Sequence, residues 1–296
     1  MDRLLAGAEK IPQADRTYIR ALNGRITHQP EDSIRAYEEM LKNDPDDPFA
    51  AFNLGEVLEE TGEFAGAEKH YLAAVKHDAR NPLLQFALGR VRIKASNHEA
   101  ALPELQKALA IYTEMGSEEG QGTILNAIGR ANDMLRRYDD ALDYYGRSET
   151  IKRKIGDKSG LAKTLDNKAG LLQIQGRLTE AAQNLEEALG LSREIGDTDG
   201  TARAFENLGS LKEELGDPEG MTKNYEEGLS LRRALKGRAE QVTCLAGLSR
   251  GYLSLGRISQ SEEYLVEAER IASEIGAQEL LTQIESDRAL LEFYRG

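Results

Sequence analysis

The sequence predicts an all-α protein: an α-solenoid of about seven consecutive helix pairs closed by a C-terminal capping helix. Three observations carry that expectation. The chain is self-similar at steps of 40 and 34 residues, each step holds two amphipathic stretches divided by a turn signal, and small and bulky residues recur at fixed places within the step.

The 40-residue step joins Ile155-Gly156-Asp157 to Ile195-Gly196-Asp197 and extends to Met115-Gly116-Ser117, Leu235-Lys236-Gly237 and Ile275-Gly276-Ala277. Gly120, Gly160 and Gly200 follow it, as do Gly176, Gly216 and Gly256. In the N-terminal third, Phe52–Tyr71 aligns with Phe86–Leu105 at a step of 34, and an earlier copy ends at Tyr37. Units therefore begin at Ala14, Pro48, Pro82, Gly122, Ala162, Ala202 and Val242, two of 34 residues and five of 40, with a terminal helix over 282–294. The whole chain, 1–296, reads as one domain.

Within a unit the first helix shows apolar residues at helical spacing, as in Phe205, Leu208, Leu211 and Leu215, and Gly216 then ends it. Pro30 and Pro218 stand near the starts of second helices, where a missing N–H costs little. Ala181, Leu185, Ala188 and Leu189 mark the buried stripe of a second helix. The eighth residue is small in every unit, from Ala21 and Gly55 through Gly89, Gly129, Ala169, Gly209 and Ser249. The twenty-fourth is bulky in every unit: Tyr37, Tyr71, Leu105, Tyr145, Leu185, Tyr225 and Leu265. Small residues let two helix backbones approach, and a large one fills the space beside them.

This alternation, the Asn-Leu-Gly runs (Asn53–Gly55, Asn207–Gly209) and the 34-residue step resemble the tetratricopeptide repeat family over residues 14–294, with the later units like its 40-residue variant. The chain departs from the family pattern in lacking Trp or Tyr at the fourth residue of the unit. The resemblance implies a right-handed superhelix with first helices lining an inner groove, and a non-catalytic scaffold that binds an extended or helical peptide there. On that reading the second, fifth, sixth, ninth, twelfth and thirteenth residues of each unit face the groove.

Composition narrows the function classes. A net charge of −13 argues against a general affinity for nucleic acid or anionic membrane. No apolar run reaches the roughly 18–20 residues that span a bilayer. The single cysteine, Cys244, rules out an internal disulfide and any multi-cysteine zinc site, and it reads as a small buried hydrophobe. These features, with no secretory pattern at the N-terminus, point to a cytoplasmic protein.

Candidate chemistry dissolves under spacing. Asp197-Thr198-Asp199-Gly200 opens like a calcium loop, yet the fifth and twelfth places hold Thr201 and Leu208, and its register equivalents repeat the bend without repeating the oxygens. It reads as a linker with helix caps. The four histidines lack a convergent third ligand, and the acid pairs Glu186-Glu187, Glu226-Glu227 and Glu262-Glu263 read as solvated second-helix surface. No phosphate loop, nucleophile elbow or dinucleotide fingerprint is present, so no catalytic residue, metal site or cofactor is expected.

Expected function sits in the groove. Asn53, Asn167 and Asn207 occupy the sixth place, where the resemblance implies an amide that clamps a peptide backbone by donating and accepting together. Arg90, Lys94, Arg130, Lys163, Arg203 and Arg250 would form a cationic strip, broken by Glu56, Asp133, Asp166, Glu206, Glu213 and Glu214. Arginine's planar fork suits carboxylate or phosphate, so the expected partner is an acidic or phosphorylated peptide; pairing with the groove carboxylates is the alternative. Two further expectations stand beside this one. The alternative to the scaffold is that the chain is the regulatory repeat region of a larger bacterial signalling protein, a serine/threonine kinase or a transcriptional regulator. Leu290, Leu291, Phe293 and Tyr294 suggest self-association or a terminal cap.

Overall fold

A computed structural model describes residues 12–295. Among them are fifteen α-helices and no strand. They are α1 (Gln13–Ile26), α2 (Pro30–Asn43), α3 (Pro48–Glu60), α4 (Phe64–His77), α5 (Pro82–Lys94), α6 (His98–Glu114), α7 (Glu118–Met134) and α8 (Tyr138–Ile155). Then follow α9 (Lys158–Ile174), α10 (Leu178–Glu194), α11 (Thr198–Glu214), α12 (Pro218–Leu235), α13 (Arg238–Ser254), α14 (Ile258–Glu274) and α15 (Gln278–Arg295). Odd-numbered helices are the first helices of their units and even-numbered ones the second. The expected all-α array of seven helix pairs plus a terminal helix is what forms.

The chain divides into two compact units, Met1–Tyr144 and Tyr145–Gly296, where the sequence alone reads as one domain. In the first unit, Tyr37, Leu54, Tyr71, Leu88 and Val91 share one core. In the second, Tyr225, Leu245, Leu248 and Leu265 form another, closed by Ile284 and Leu291 of α15. Within the first unit consecutive helices from α1 to α7 pack on one another, and within the second those from α9 to α15 do, while first helices also touch the following first helix, as α5 does α7 and α9 does α11.

The turns between helices follow the register. The fifteenth residue of every unit lies in the left-handed region: Gly62, Gly176, Gly216 and Gly256 do so without a Cβ, and His28, Ser96 and Arg136 do so with one. A second left-handed place, in the longer units, holds Gly116, Gly156, Gly196, Lys236 and Gly276. In both series the N–H of the residue after the left-handed one bonds back into the helix's last turn, as Asp217 N does to the Lys212 carbonyl at 2.9 Å and Gly237 N to that of Arg232 at 3.1 Å.

One boundary differs from the sequence expectation. The longer units were placed as starting at 122, 162, 202 and 242, but their first helices begin four residues earlier, at 118, 158, 198 and 238. In the short units a proline fixes the start, with Asp47 Oδ1 accepting from the Phe49 and Ala50 N–H groups at 2.9 and 3.1 Å before Pro48 and Asn81 serving Pro82. The longer units lack that proline. Ser117, Asp157 and Asp197 cap instead, accepting from the N–H groups of Gly120, Gly160 and Gly200 at 3.3, 2.8 and 2.9 Å. The six extra residues are thus shared. First helices grow from 13 residues in α3 and α5 to 17, and second helices from 14 in α2 and α4 to 17 or 18.

The small-against-large code is realised atom by atom. A Cβ added to Gly55 would lie 2.7 Å from the Tyr71 ring, one on Gly89 2.7 Å from Leu105, and one on Gly209 2.9 Å from Tyr225. All seven bulky twenty-fourth residues are buried.

Candidate functional site

The first helices present the face on which the sequence places function, and each unit contributes its own stretch of it. In the first unit the fifth residue of the first repeat and the second and fifth residues of the next two are apolar. Tyr18, Phe49 and Leu83 stand 37%, 45% and 58% exposed, and Phe52 and Phe86 lie half-buried beside them. Tyr18 and Phe49 meet edge to face, ring centroids 5.5 Å apart. In the second unit the same places hold Lys163, Asp166, Arg203 and Glu206, so the face there is polar.

Most of the expected cationic strip is spent inside the protein. Arg90 grips Glu59 bidentately, Nε and Nη2 each 2.8 Å from a carboxylate oxygen, while Lys94 Nζ reaches the same group at 2.9 Å. Arg203 Nε donates to Asp166 Oδ2 at 2.8 Å. Arg250 joins three first helices: it donates to both oxygens of Glu213 at 2.8 and 3.2 Å and to Asp287 Oδ2 at 3.2 Å. Every one of these pairs links a repeat to the next, so the alternative of pairing with neighbouring carboxylates describes Arg90, Lys94, Arg203 and Arg250. Arg130 and Lys163 differ. Both are exposed, and neither has an ion pair among the described residues.

The three asparagines also part company. Asn53 is buried, its Nδ2 donating to the Phe49 carbonyl at 2.8 Å and its Oδ1 accepting from Arg25 at 3.4 Å. Its amide is committed on both sides, which removes it as a peptide clamp. Asn207 is half-buried and donates to Asp166 Oδ1 at 2.6 Å, so its donor is engaged beside Arg203 on one carboxylate. Asn167 is half-buried in the preceding repeat.

Sequence reasoning passed over the residue at the centre of the first unit's network, Glu59. It is 4% exposed and takes four donors: Arg90 twice, Lys94, and the Tyr71 hydroxyl at 2.8 Å. Burial opposes its charge, yet the hydrogen bonds from Arg90 and Lys94 hold its carboxyl below the usual range. In the second unit Arg232, almost fully buried, plays the matching role. It donates to Glu206 at 2.5 and 3.1 Å and to Asp199 at 2.5 Å. Asp199 is thereby an ion-pair partner and Asp197 a cap, and among the described residues no group of three or more acidic, histidine or cysteine side chains is placed to hold a metal. Cys244 is buried as expected, and burial, followed by the nearby Glu206, pushes its thiol far up, away from thiolate chemistry. No helix among the described residues is long and apolar enough to cross a membrane.

The first helices of the first unit therefore offer apolar contact and the exposed Arg130, and those of the second offer the exposed Lys163 and hydrogen-bonding groups, neither cation having an ion pair among the described residues; these are the means of holding another polypeptide. Comparison with known proteins agrees with the repeat architecture. A tetratricopeptide repeat family model matches residues 80–154 and 160–220, and a second such model matches 27–82. Human tetratricopeptide repeat protein 21B is 34% identical over 131 residues, covering 43% of this chain and 10% of that protein. The human cell division cycle protein 16 homolog is 26% identical over 138 residues, covering 43% of this chain and 21% of that one. The matches thus span about a tenth to a fifth of these relatives' length. Among solved structures, a signal transduction ATPase from Pyrococcus horikoshii with a tetratricopeptide repeat sensor superposes with a TM-score of 0.73 at 18% identity, over 98% of this chain and 46% of that one. The apo form of RapI gives 0.69 at 18% identity, over 89% and 100%. With the repeat register, the small-against-large packing and family models along most of its length all in agreement, this chain belongs to the tetratricopeptide repeat family.

Proposed function

We propose that the chain is a non-catalytic scaffold that captures an extended or helical peptide of a protein partner on its first-helix face. The observation that carries this reading is the exposed apolar row of the first unit, Tyr18, Phe49 and Leu83, on a face whose other side chains are largely tied to their neighbours. A helix array gains nothing by presenting aromatic and aliphatic groups to solvent on one face unless something covers them. Arg130 and Lys163 support an acidic or phosphorylated segment in the partner, because neither is spent on a carboxylate among the described residues. Asn167 and Asn207 remain the proposed backbone contacts of the second unit.

The test is affinity capture from lysate with the wild-type chain, Phe49→Ser/Leu83→Ser, Arg130→Glu/Lys163→Glu and Asn167→Ala/Asn207→Ala. The apolar variant is expected to lose the captured proteins, and the charge-reversed one to lose the salt dependence of capture. Capture unchanged in both sinks the reading. A second reading makes this chain the regulatory repeat region of a larger signalling protein. The archaeal ATPase supports it, since the chain matches 46% of a protein described as carrying such a sensor. Sequencing the reading frame on both sides of the chain decides it.

A further inference from the structure

The second-helix side of the first unit carries a groove of about 630 Å³ between α2 and α4, a volume usual for a ligand site. Its apolar lining is Leu41, Pro45, Ala51, Ala65, Leu72 and Ala73. Two residues lining this groove are smaller than their counterparts in every other repeat. At the fourth residue, Leu125, Leu165, Phe205 and Leu245 fill the space in later repeats, whereas here Ala51 leaves it open. At the twenty-sixth, Lys107, Arg147, Glu187, Glu227 and Glu267 keep the second helix polar, whereas here Ala73 makes it apolar. Leu72 beside it is exposed.

The rim is charged with one sign on one edge. Lys69 and Lys76 are exposed, line the groove and have no ion pair among the described residues. Glu68, the carboxylate among the lining residues, is spent on Arg92 at 2.8 Å. With Glu68 paired in this way, the edge that carries Lys69 and Lys76 is cationic. The two lysines are seven residues apart, two turns or about 10 Å along α4.

We infer that this groove is a second docking site, separate from the first-helix face, for an amphipathic acidic helix of a protein partner. The helix lies along α4, seats its apolar side chains over Ala51 and Ala73, and sets carboxylates about two turns apart against Lys69 and Lys76. The reading does not depend on what binds the first-helix face.

The experiment uses the full chain and two synthetic leucine-based amphipathic helical peptides that differ only in carrying Glu or Lys at the seven-residue spacing, followed by fluorescence anisotropy. The Glu peptide is expected to bind and the Lys peptide to bind at least about tenfold more weakly. Ala51→Leu, which restores the filling seen in the later repeats, is expected to weaken the Glu peptide by about ten- to hundredfold, the loss of one buried apolar anchor. Lys69→Glu/Lys76→Glu is expected to invert the preference, a readout that misfolding does not produce. Equal binding of both peptides, binding indifferent to Ala51→Leu, or loss in Phe49→Ser/Leu83→Ser instead overturns the proposal. So does sedimentation showing that the wild-type chain self-associates through these residues, because the occupant is then a second copy.

Discussion

Glu59 is the side chain whose removal the first unit should feel most. It is buried at 4% exposure and is the common acceptor for α5 (Arg90, Lys94) and α4 (Tyr71), so it ties one repeat to the next. Glu59→Ala frees two cations and leaves the fully buried Tyr71 hydroxyl without its close acceptor. Breaking a buried pair costs about 3–5 kcal/mol, and the lower end, about 3 kcal/mol, applies here because Arg90 and Lys94 are more than a third exposed and relax toward water. Tyr71→Phe removes one hydrogen bond and costs about 1 kcal/mol. The double variant should cost less than the sum, since its hydroxyl no longer needs an acceptor. The assay is guanidinium unfolding followed by far-UV circular dichroism, with hydrogen exchange locating the loss in α3 to α5, because repeat arrays do not always unfold in one step. A pH series adds a signature. The folded carboxyl lies below its unfolded value, so its contribution is complete above about pH 4.3 and drains away as pH falls through the folded value. Glu59→Gln should flatten that acid limb. A loss under about 1 kcal/mol, the range of exposed pairs, refutes the reasoning.

Further expectations rest on other junctions. Lys152 is buried, donates to the Gly160 carbonyl at 2.9 Å, and has its ammonium pushed down to about 8 by burial, with Asp157 opposing and Lys163 adding to the effect. The unfolded chain then binds more protons between about pH 8 and 10.4, so stability rises with pH there by up to about 3 kcal/mol, and Lys152→Met should raise thermal stability at pH 7 while abolishing that rise. Lys236→Gly and Arg136→Gly, at φ of 60° and 58°, should each stabilise by about 1 kcal/mol in denaturant titrations, because glycine adopts the left-handed region without a Cβ clash. Gly247→Ala puts a Cβ 2.4 Å from the buried Tyr225 ring and should cost about 1–3 kcal/mol. Tyr225→Leu, the residue type at this place in α10 and α14, should recover much of that loss in the same chain, and calorimetry of the double variant checks it.

The fold was largely legible because its rules are local and repeated. Residues eight and twenty-four of each unit state the packing by size alone, and Gly55 against Tyr71 shows the statement kept. The helix starts of the longer units were less legible, since a cap such as Asp157 acts through geometry while a proline such as Pro48 acts through identity. The first-helix face was legible as a set of positions but not as a set of free groups. Periodicity put Arg90 and Arg250 on that face, yet whether a guanidinium meets solvent or a carboxylate depends on the register between neighbouring helices. That register placed Glu59 and Glu213 within reach and left Arg130 alone among the described residues. Asn53 turned inward for the same reason, through Arg25 of the repeat before it. The apolar row was within reach of the sequence: Phe49 and Leu83 are 34 residues apart at a place already assigned to the face, and attention to charge hid them.

The ion pairs between repeats carry a different sort of information from the apolar packing. Every repeat obeys the same size rule, so packing alone lets any unit follow any other. The charges are private to each junction: Glu59 answers Arg90 and Lys94, Asp166 answers Arg203, and Arg250 answers Glu213 on one side and Asp287 on the other. They work as addresses that record the order of units. An array with its repeats permuted would keep its core yet set like charges or empty carboxylates at the seams, and the same mismatch discourages two copies from exchanging repeats out of register.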